Sequence, residues 1–427
     1  MPMKRNLAPY LEEVRRHLEH ELLPYWRVRG DDPQYGGFLT CFDSRGAPTG
    51  DTDKNLLATC RMIFAFSAVH RAGRDPDGSF LERAGRGLRF LEEHFLDREC
   101  GGWYWILRRE GTPLDRKKII YGHSFVIYAL SELYLASGDK KALELARHTF
   151  DLLQTHAADN LHGGYWEFFE RDWEHCRPGE YGGDRKSLDV HMHLMEAFTN
   201  LYLASRDKLI QRRTTEIIEL ICSRMLHPSQ GTGIAQFSAD FTPQRALIFK
   251  NVWGSDRQAG DLEGRPLDNT SYGHNVELGW LLSRSVEVLG LDPGVYHGRI
   301  RSLYDHCLQY GLDWKLGGVY CEGPHAGAAR ERNKEFWQQA ETLVALLDAL
   351  AVFGDPRYLE AYDNVHRFVF DHVVNHAVGE WFPLLGPGNE VLWDYMGHQW
   401  KINYHTIRSM LECEKRLSAL QEAMSGG

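Results

Sequence analysis

Apolar positions along this chain recur at helical intervals almost from end to end. Between residues 119 and 137 the apolar set Ile119, Phe125, Tyr128, Ala129, Leu133 and Leu135 follows the spacing of a buried helix. Twelve helices are predicted, near 7–25, 54–72, 79–97, 119–137, 140–155, 187–205, 207–226, 271–289, 294–311, 334–353, 356–374 and 401–419. Helix stops follow several of them. Ser137-Gly138-Asp139, Leu289-Gly290 and Phe353-Gly354-Asp355-Pro356 each combine a residue tolerant of positive φ with a helix-starting one.

Two kinds of connection alternate. Even-numbered helices run into their successors through these short turns, whereas odd-numbered helices are followed by long segments. Each long segment carries paired glycines and a bulky residue: Gly36-Gly37-Phe38, Gly101-Gly102-Trp103, Gly163-Gly164-Tyr165 and Gly317-Gly318-Val319. Degenerate copies stand at Gly231-Thr232-Gly233 and Gly379-Glu380-Trp381, so the spacing is 62 to 86 residues throughout. Six copies imply six repeats of one supersecondary unit. Six helical hairpins with long loops gathered at one end, each loop holding a short β-hairpin, predict an all-α (α/α)6 barrel. The expectation is one catalytic domain over 1–427 with its last few residues unstructured. An α-solenoid is the rival, but its repeats are shorter, at about 33–47 residues.

Composition narrows the function. The chain has 427 residues, 43% hydrophobic and 12% aromatic, ample for a packed core, and no Pro/Ser-rich linker divides it. A formal charge of −10 argues against a nucleic-acid partner, which requires a concentrated basic face. The eight cysteines include no CxxC pair, and no run approaches the ~20 apolar residues of a membrane span. A reduced, cytoplasmic protein with no membrane association is the simplest reading.

Polar residues that are costly to bury cluster where the even-numbered helices begin. Arg61 lies in the second helix, Tyr121 and His123 open the fourth, and Asp189, His191 and His193 open the sixth. His274 and Glu277 open the eighth, Trp337 and Glu341 the tenth, and Trp400 and His405 the twelfth. Asp189 and His193 are four apart, as are Trp337 and Glu341, and His274 and Glu277 are three apart, so each pair shares a helix face. A carboxylate on the face of His274 would fix its tautomer and raise its basicity. His191 is two residues from His193 and points elsewhere, which disfavours a metal chelate. Arg61 in the apolar run 56–66, and Glu341 in the run 340–350, both demand a partner or a task.

The strings around these residues resemble the N-acylglucosamine 2-epimerase superfamily, and within it the cellobiose and mannose 2-epimerases. They are Lys186-Ser187-Leu188-Asp189-Val190-His191-Met192-His193-Leu194, Ser271-Tyr272-Gly273-His274-Asn275-Val276-Glu277, Lys334-Glu335-Phe336-Trp337-Gln338-Gln339-Ala340-Glu341, and 400–405. The resemblance implies a metal-independent, cofactor-free 2-epimerase acting at C2 of a reducing aldose, as monomer or homodimer. His274 and His405 would be the two acid/base catalysts, Arg61 would polarise the C1 oxygen, and His193 would assist ring opening. Glu277 would support His274, and Glu341 would contact the sugar or a neighbouring imidazole. Trp337 and Trp400 would stack on sugar rings, with Tyr121 and Asp189 in the same pocket. Asp189 and His123 depart from the usual Asn and Gln of cellobiose epimerases, and the 238–270 stretch is longer than expected. Aldose–ketose isomerisation with the same residues and glycoside hydrolysis by Glu277 and Glu341 are the alternative readings.

Overall fold

A computed structural model describes residues 6–247 and 265–425. Part of the long 238–270 stretch, 248–264, and the last two residues lie outside the described residues. Twelve helices form the frame: α1 Ala8–His17, α2 Leu56–Arg71, α3 Ser79–Phe90, α4 Ile120–Ser137, α5 Lys140–Leu152 and α6 Leu188–Ser205, followed by α7 Lys208–Leu220, α8 Tyr272–Leu289, α9 His297–His306, α10 Phe336–Phe353, α11 Pro356–Phe368 and α12 Asn403–Ser425.

The even-numbered helices pack side by side in chain order, and α12 returns to α2 to close the ring. Each odd-numbered helix lies outside, α3 against α2, α5 against α4 and so on, with α1 against α12. Burial follows from this placement. In α4 every residue from Ile120 to Leu133 is buried, as an inner-ring helix requires. In α5 only Ala142, Leu145, Ala146, Thr149 and Phe150 are buried, the single stripe of an outer helix. The (α/α)6 barrel is therefore the observed fold. The predicted helix starts agree within three residues, and Gly138 at φ 74° followed by the Asp139 cap makes the expected α4–α5 turn.

One feature carries no sequence signal. All six outer helices run into a π-helical turn: Leu18–Leu22, Leu91–Phe95, Leu153–Ala157, Ile221–Met225, Cys307–Gly311 and Val369–Val373. In the first repeat a short helical segment, Leu23–Arg27, separates it from the glycine turn, and in the other five the glycine turn comes directly after it. Its two flanks bridge between residues seven apart in all six copies, from Asp31↔Phe38 to Val374↔Trp381. In the four full copies both glycines have positive φ, for example 74° and 72° at Gly101 and Gly102. A β-carbon on Gly102 would lie 2.7 Å from Trp173, so this position takes glycine for space as well as conformation.

Each turn is tied to the inner helix that follows. Two residues ahead of α2, α4, α6 and α10 stand Lys54, Lys118, Lys186 and Lys334, all buried. Their ammonium groups bond Asp32 at 3.0 Å, Asp97 at 2.9 Å, Asp159 at 2.6 Å and Asp313 at 3.0 Å, each four residues before the first glycine. From inside the helix, His123, His191, Asn275 and Gln339 accept the N–H of the residue after the turn at 2.8 to 3.1 Å. His123 and His191, polar residues at these same helix starts, are thus structural, and burial holds them down to about 3 and about 4.

The strands carry the same closure around the rim. The segment before one inner helix pairs with the loop of the next repeat, as Lys54–Asn55 does with Ile106–Leu107. The last loop returns to the first through Phe42↔Gly397.

Replacing Lys334 with methionine keeps its volume and leaves the Asp313 carboxylate buried without its cation. Lys334→Met is expected to lose about 3 kcal/mol or more of stability. Urea denaturation measures it, and a loss near that of a surface ion pair, below about 1 kcal/mol, would show that the pair does not hold the repeat.

Candidate active site

The glycine turns lift the long loops to one rim, and the first two turns of the inner helices end beneath them in a cavity of about 280 Å³. Nine of the ten candidates from sequence line it: Arg61, Tyr121, Asp189, His193, His274, Glu277, Trp337, Trp400 and His405. Glu341 lies just below, fully buried. Trp400 sits three residues ahead of α12 rather than in it, and its carbonyl accepts from Arg61 Nη1 at 3.0 Å.

Arg61 is buried with little to neutralise it. Nη2 donates to the Tyr121 hydroxyl at 3.2 Å, and the guanidinium lies over Phe125 and Tyr404 at 4.7 and 4.9 Å. Nε is buried without an acceptor. Among the described residues no carboxylate pairs with it. Such a cation is set up for an oxyanion or a polarised carbonyl oxygen entering the cavity.

His405 contrasts with His193. His405 Nδ1 lies 2.6 Å from Glu341 Oε1. Burial, helped by Arg61 and Arg408, pushes this imidazole down to about 3 against the Glu341 bond. It is neutral at pH 7, with Nδ1–H donating to Glu341 and Nε2 left as a base. His193 is gripped from both ring nitrogens, Nδ1 by Glu196 at 2.9 Å and Nε2 by Asp189 at 3.3 Å. Burial opposes its charge, but these two bonds and the field of Glu277 outweigh burial and raise it to about 10. His193 is a cation where His405 is not.

The expected His274–Glu277 pair is not formed. Glu277 turns down into the barrel and binds Arg408 Nη2 at 2.8 Å, while His274 Nε2 lies 3.7 Å from Asp189 Oδ1. Lateral competition explains it: three residues on, Glu277 points below the cavity floor toward the buried guanidinium. The His274 ring instead rests on Trp337 at 4.7 Å, and Trp337 also meets His405 at 5.8 Å. Trp337 is held by its own indole N–H, which donates to Glu335 at 2.5 Å.

Three residues beneath the cavity were not singled out from sequence: Arg408, Glu196 and Tyr404. Arg408 binds Glu196, Glu277 and Glu341 and the Tyr404 hydroxyl, all buried. Burial first, then the charge of Glu341, holds the Glu277 carboxyl above the usual carboxylate range against the pull of His193 and Arg408. Glu196 and Glu341 stay ionised against burial because Arg408 faces them. Glu277, Glu341 and His405 also bring potential metal-ligand atoms within 4.8 Å of one another, but the two carboxylates already hold the guanidinium, which fills the place a cation would take.

A positional rule was available. Arg61, Phe125, His193, Glu277, Glu341 and Arg408 each stand five residues after the first residue of their inner helix. They form one layer across the barrel, one residue per repeat. Aligning the inner helices on their first residues sets Arg408 in register with Arg61.

Comparison with known proteins places this barrel and cavity among the sugar epimerases. The N-acylglucosamine 2-epimerase (GlcNAc 2-epimerase) family matches residues 37–409, and the chain belongs to that family. Cellobiose 2-epimerase of Bacteroides fragilis is 31% identical over 410 residues, covering 94% of this chain and 97% of the relative. D-mannose isomerase of Marinomonas mediterranea is 26% identical over 394 residues, 91% of this chain and 93% of the relative. The solved structure of cellobiose 2-epimerase from Spirochaeta thermophila superposes with a TM-score of 0.85 at 31% identity, over 98% and 99% of the two chains. The chain is a carbohydrate epimerase of the isomerase class. Among the described residues no helix is long and apolar enough to cross a membrane.

The raised pKa of His193 links stability to pH. Its contribution is complete below the unfolded value of 6.5 and is lost as pH rises through the folded value of about 10. The stability difference between wild type and His193→Gln should therefore narrow from pH 6.5 toward 10 in urea denaturation. A difference that stays constant over this window would mean that His193 is not charged in the folded protein.

Proposed function

We propose that this protein interconverts the glucose and mannose configurations at C2 of a reducing aldose, either a free monosaccharide or the reducing end of a β-1,4 disaccharide such as cellobiose. One observation carries the reading: a buried guanidinium with a vacant donor, Arg61, shares a cavity with a histidine held neutral, His405. That is the equipment for removing a proton next to a carbonyl. In the open-chain aldose the C2 proton is acidified by the C1 carbonyl, and its loss gives an enediolate.

In this mechanism Arg61 binds the C1 oxygen and stabilises the charge that develops there. Such preorganised donors supply a large share of many enzymes' acceleration. His405 and His274 stand on opposite faces of C2; one removes the proton and the other, as imidazolium, returns one from the far side. The roles exchange in the reverse direction, as an equilibrating reaction requires. His193, cationic between Asp189 and Glu196, assists opening of the pyranose ring. Trp337 and Trp400 present faces for sugar stacking, and Tyr121 and Asp189 hydrogen-bond the substrate. Glu277, at the cavity floor, and Glu341, just below it, are both bound to Arg408, which disfavours the two-carboxylate chemistry of a hydrolase.

A relative named D-mannose isomerase supports aldose–ketose isomerisation as the second reading, in which the same enediolate is reprotonated at C1. Incubation with glucose, mannose and cellobiose in D2O, followed by NMR, separates the two. Deuterium at C2 of a 2-epimer is the expected result. A ketose product would move the function to isomerase, and monosaccharide released from cellobiose without exchange would exclude both.

Two variant series accompany this test. His405→Asn and His274→Asn should each lower kcat by roughly 10²–10⁴-fold with the fold retained by circular dichroism. Arg61→Gln should cost roughly 10²–10³-fold. Full activity in any one of them removes that residue from the mechanism.

A further inference from the structure

Two of the cavity's imidazoles hang from opposite ends of a single buried guanidinium. From His193, Nδ1 meets Glu196 Oε2 at 2.9 Å, and Glu196 Oε1 binds Arg408 Nη1. On the other side Arg408 Nη2 binds Glu341 Oε1 at 2.7 Å, and Glu341 Oε1 meets His405 Nδ1 at 2.6 Å. The chain His193–Glu196–Arg408–Glu341–His405 crosses the barrel floor from α6 to Arg408 on α12, on to Glu341 on α10 and back to His405 on α12. All five side chains are buried. The geometry points to Arg408 as a positioning residue that couples the protonation of His193 to that of His405, so that one is kept as an acid while the other is kept as a base.

The physical reason lies in sharing. A guanidinium presents donors in a fixed planar fork, and here the two prongs serve different carboxylates. Each carboxylate in turn accepts a hydrogen bond from Nδ1–H of its histidine, which orients both rings, fixes the tautomer of neutral His405 and aims Nε2 away from the floor. In low dielectric the hydrogen bonds along such a chain polarise one another. Weakening Glu196 as an acceptor leaves more of the Arg408 charge for Glu341, which becomes a poorer acceptor for His405. The effect crosses the barrel without contact between Glu196 and His405.

Other groups bear on both ends. His193 also faces Asp189 on its own helix, Glu277 from α8, Tyr121 from α4 at 5.2 Å, and Tyr404 through Glu196. His274 shares Asp189 with it. His405 also faces Arg61 from α2, Trp337 from α10 and Tyr404 beside it. Neither Glu196→Gln nor Arg408→Gln alters these groups directly, apart from the bond of Arg408 to Glu277 and those of both to Tyr404.

This inference rests on the epimerase reading for its consequence, since it assigns how the ring-opening acid of that reaction, His193, and one of its two C2 catalysts, His405, are held in different protonation states. Its test does not. In the ligand-free protein, long-range ¹H–¹⁵N NMR reads the tautomer and titration of each imidazole. Glu196→Gln, nearly isosteric, is expected to move the titration of His193 downward and also to shift that of His405 by at least about half a pH unit. Arg408→Gln, if it folds, should shift both. In turnover, the alkaline limb of kcat/KM should move to lower pH in Glu196→Gln while KM changes less than kcat. If Glu196→Gln moves His193 and leaves His405 where it was, the coupling is overturned, whatever sugar the enzyme turns over. If His405 moves but no deuterium enters any sugar, the coupling stands and the epimerase reading falls.

Discussion

The buried lysine ahead of an inner helix is the contact on which the barrel depends. Each of four repeats places it between an aspartate and, in three of them, a carbonyl of the glycine turn, so the end of an outer helix and the start of an inner one are fixed to each other. Burying an ammonium is costly unless it is paired and fully hydrogen-bonded, and a partner lost leaves an uncompensated charge. The arrangement is therefore demanding in geometry, and that demand is useful. It sets where the first turn of four of the six inner helices stands, and the first two turns are where the cavity is.

That placement makes the chemistry a matter of substitution within a fixed layer. The residue five positions into each inner helix points to the barrel axis: two arginines, two glutamates, a histidine and a phenylalanine. Arg61 and Arg408 hold the same repeat position but opposite duties. Arg408 is saturated by Glu196, Glu277 and Glu341, and Arg61 stands over Phe125 and Tyr404 with a donor to spare. Giving the carboxylates to Arg61 instead would neutralise the cation that faces the cavity and leave Arg408 uncompensated beneath it. The repeat supplies position; the asymmetry among its six copies supplies polarity.

Much of this was legible in sequence because two signals were independent. Helical periodicity and the glycine turns both pointed to six hairpins, and costly polar residues then marked the inner-helix starts. The rest was hidden for identifiable reasons. Arg408 lies in Ile407-Arg408-Ser409-Met410, a stretch whose periodicity does not distinguish an inward from an outward arginine. Glu196 lies in an apolar run as Glu341 does, yet the same is true of Glu132, which binds Arg71 and Asn200 instead. A buried glutamate signals a partner and says nothing of which one. The His274–Glu277 expectation failed for the same reason: spacing places two side chains on one face, but a guanidinium two helices away in the ring decides where the carboxylate goes. The π turns leave no trace in apolar spacing, because widening one helical turn moves no residue to the opposite face.

The fourth repeat tests how far the frame tolerates change, and it is the repeat that carries His274. His227 replaces the aspartate and Thr270 the lysine, yet Gly231 N–H still bonds the His227 carbonyl at 2.8 Å, as in the other copies. Thr270 donates to the Gly233 carbonyl at 2.8 Å, and Asn275 accepts the Gly233 N–H at 2.8 Å. His325 from the next loop stacks on His227 at 4.4 Å and bonds Thr232 at 2.7 Å. Neutral hydrogen bonds thus take over from the ion pair without altering the turn. The lysine–aspartate pair is then one solution to a geometric requirement, the tethering of turn to helix, and the requirement is what all six repeats share. A barrel built on that requirement can vary any single tether, and the charge it carries, without moving the layer of residues that forms the cavity.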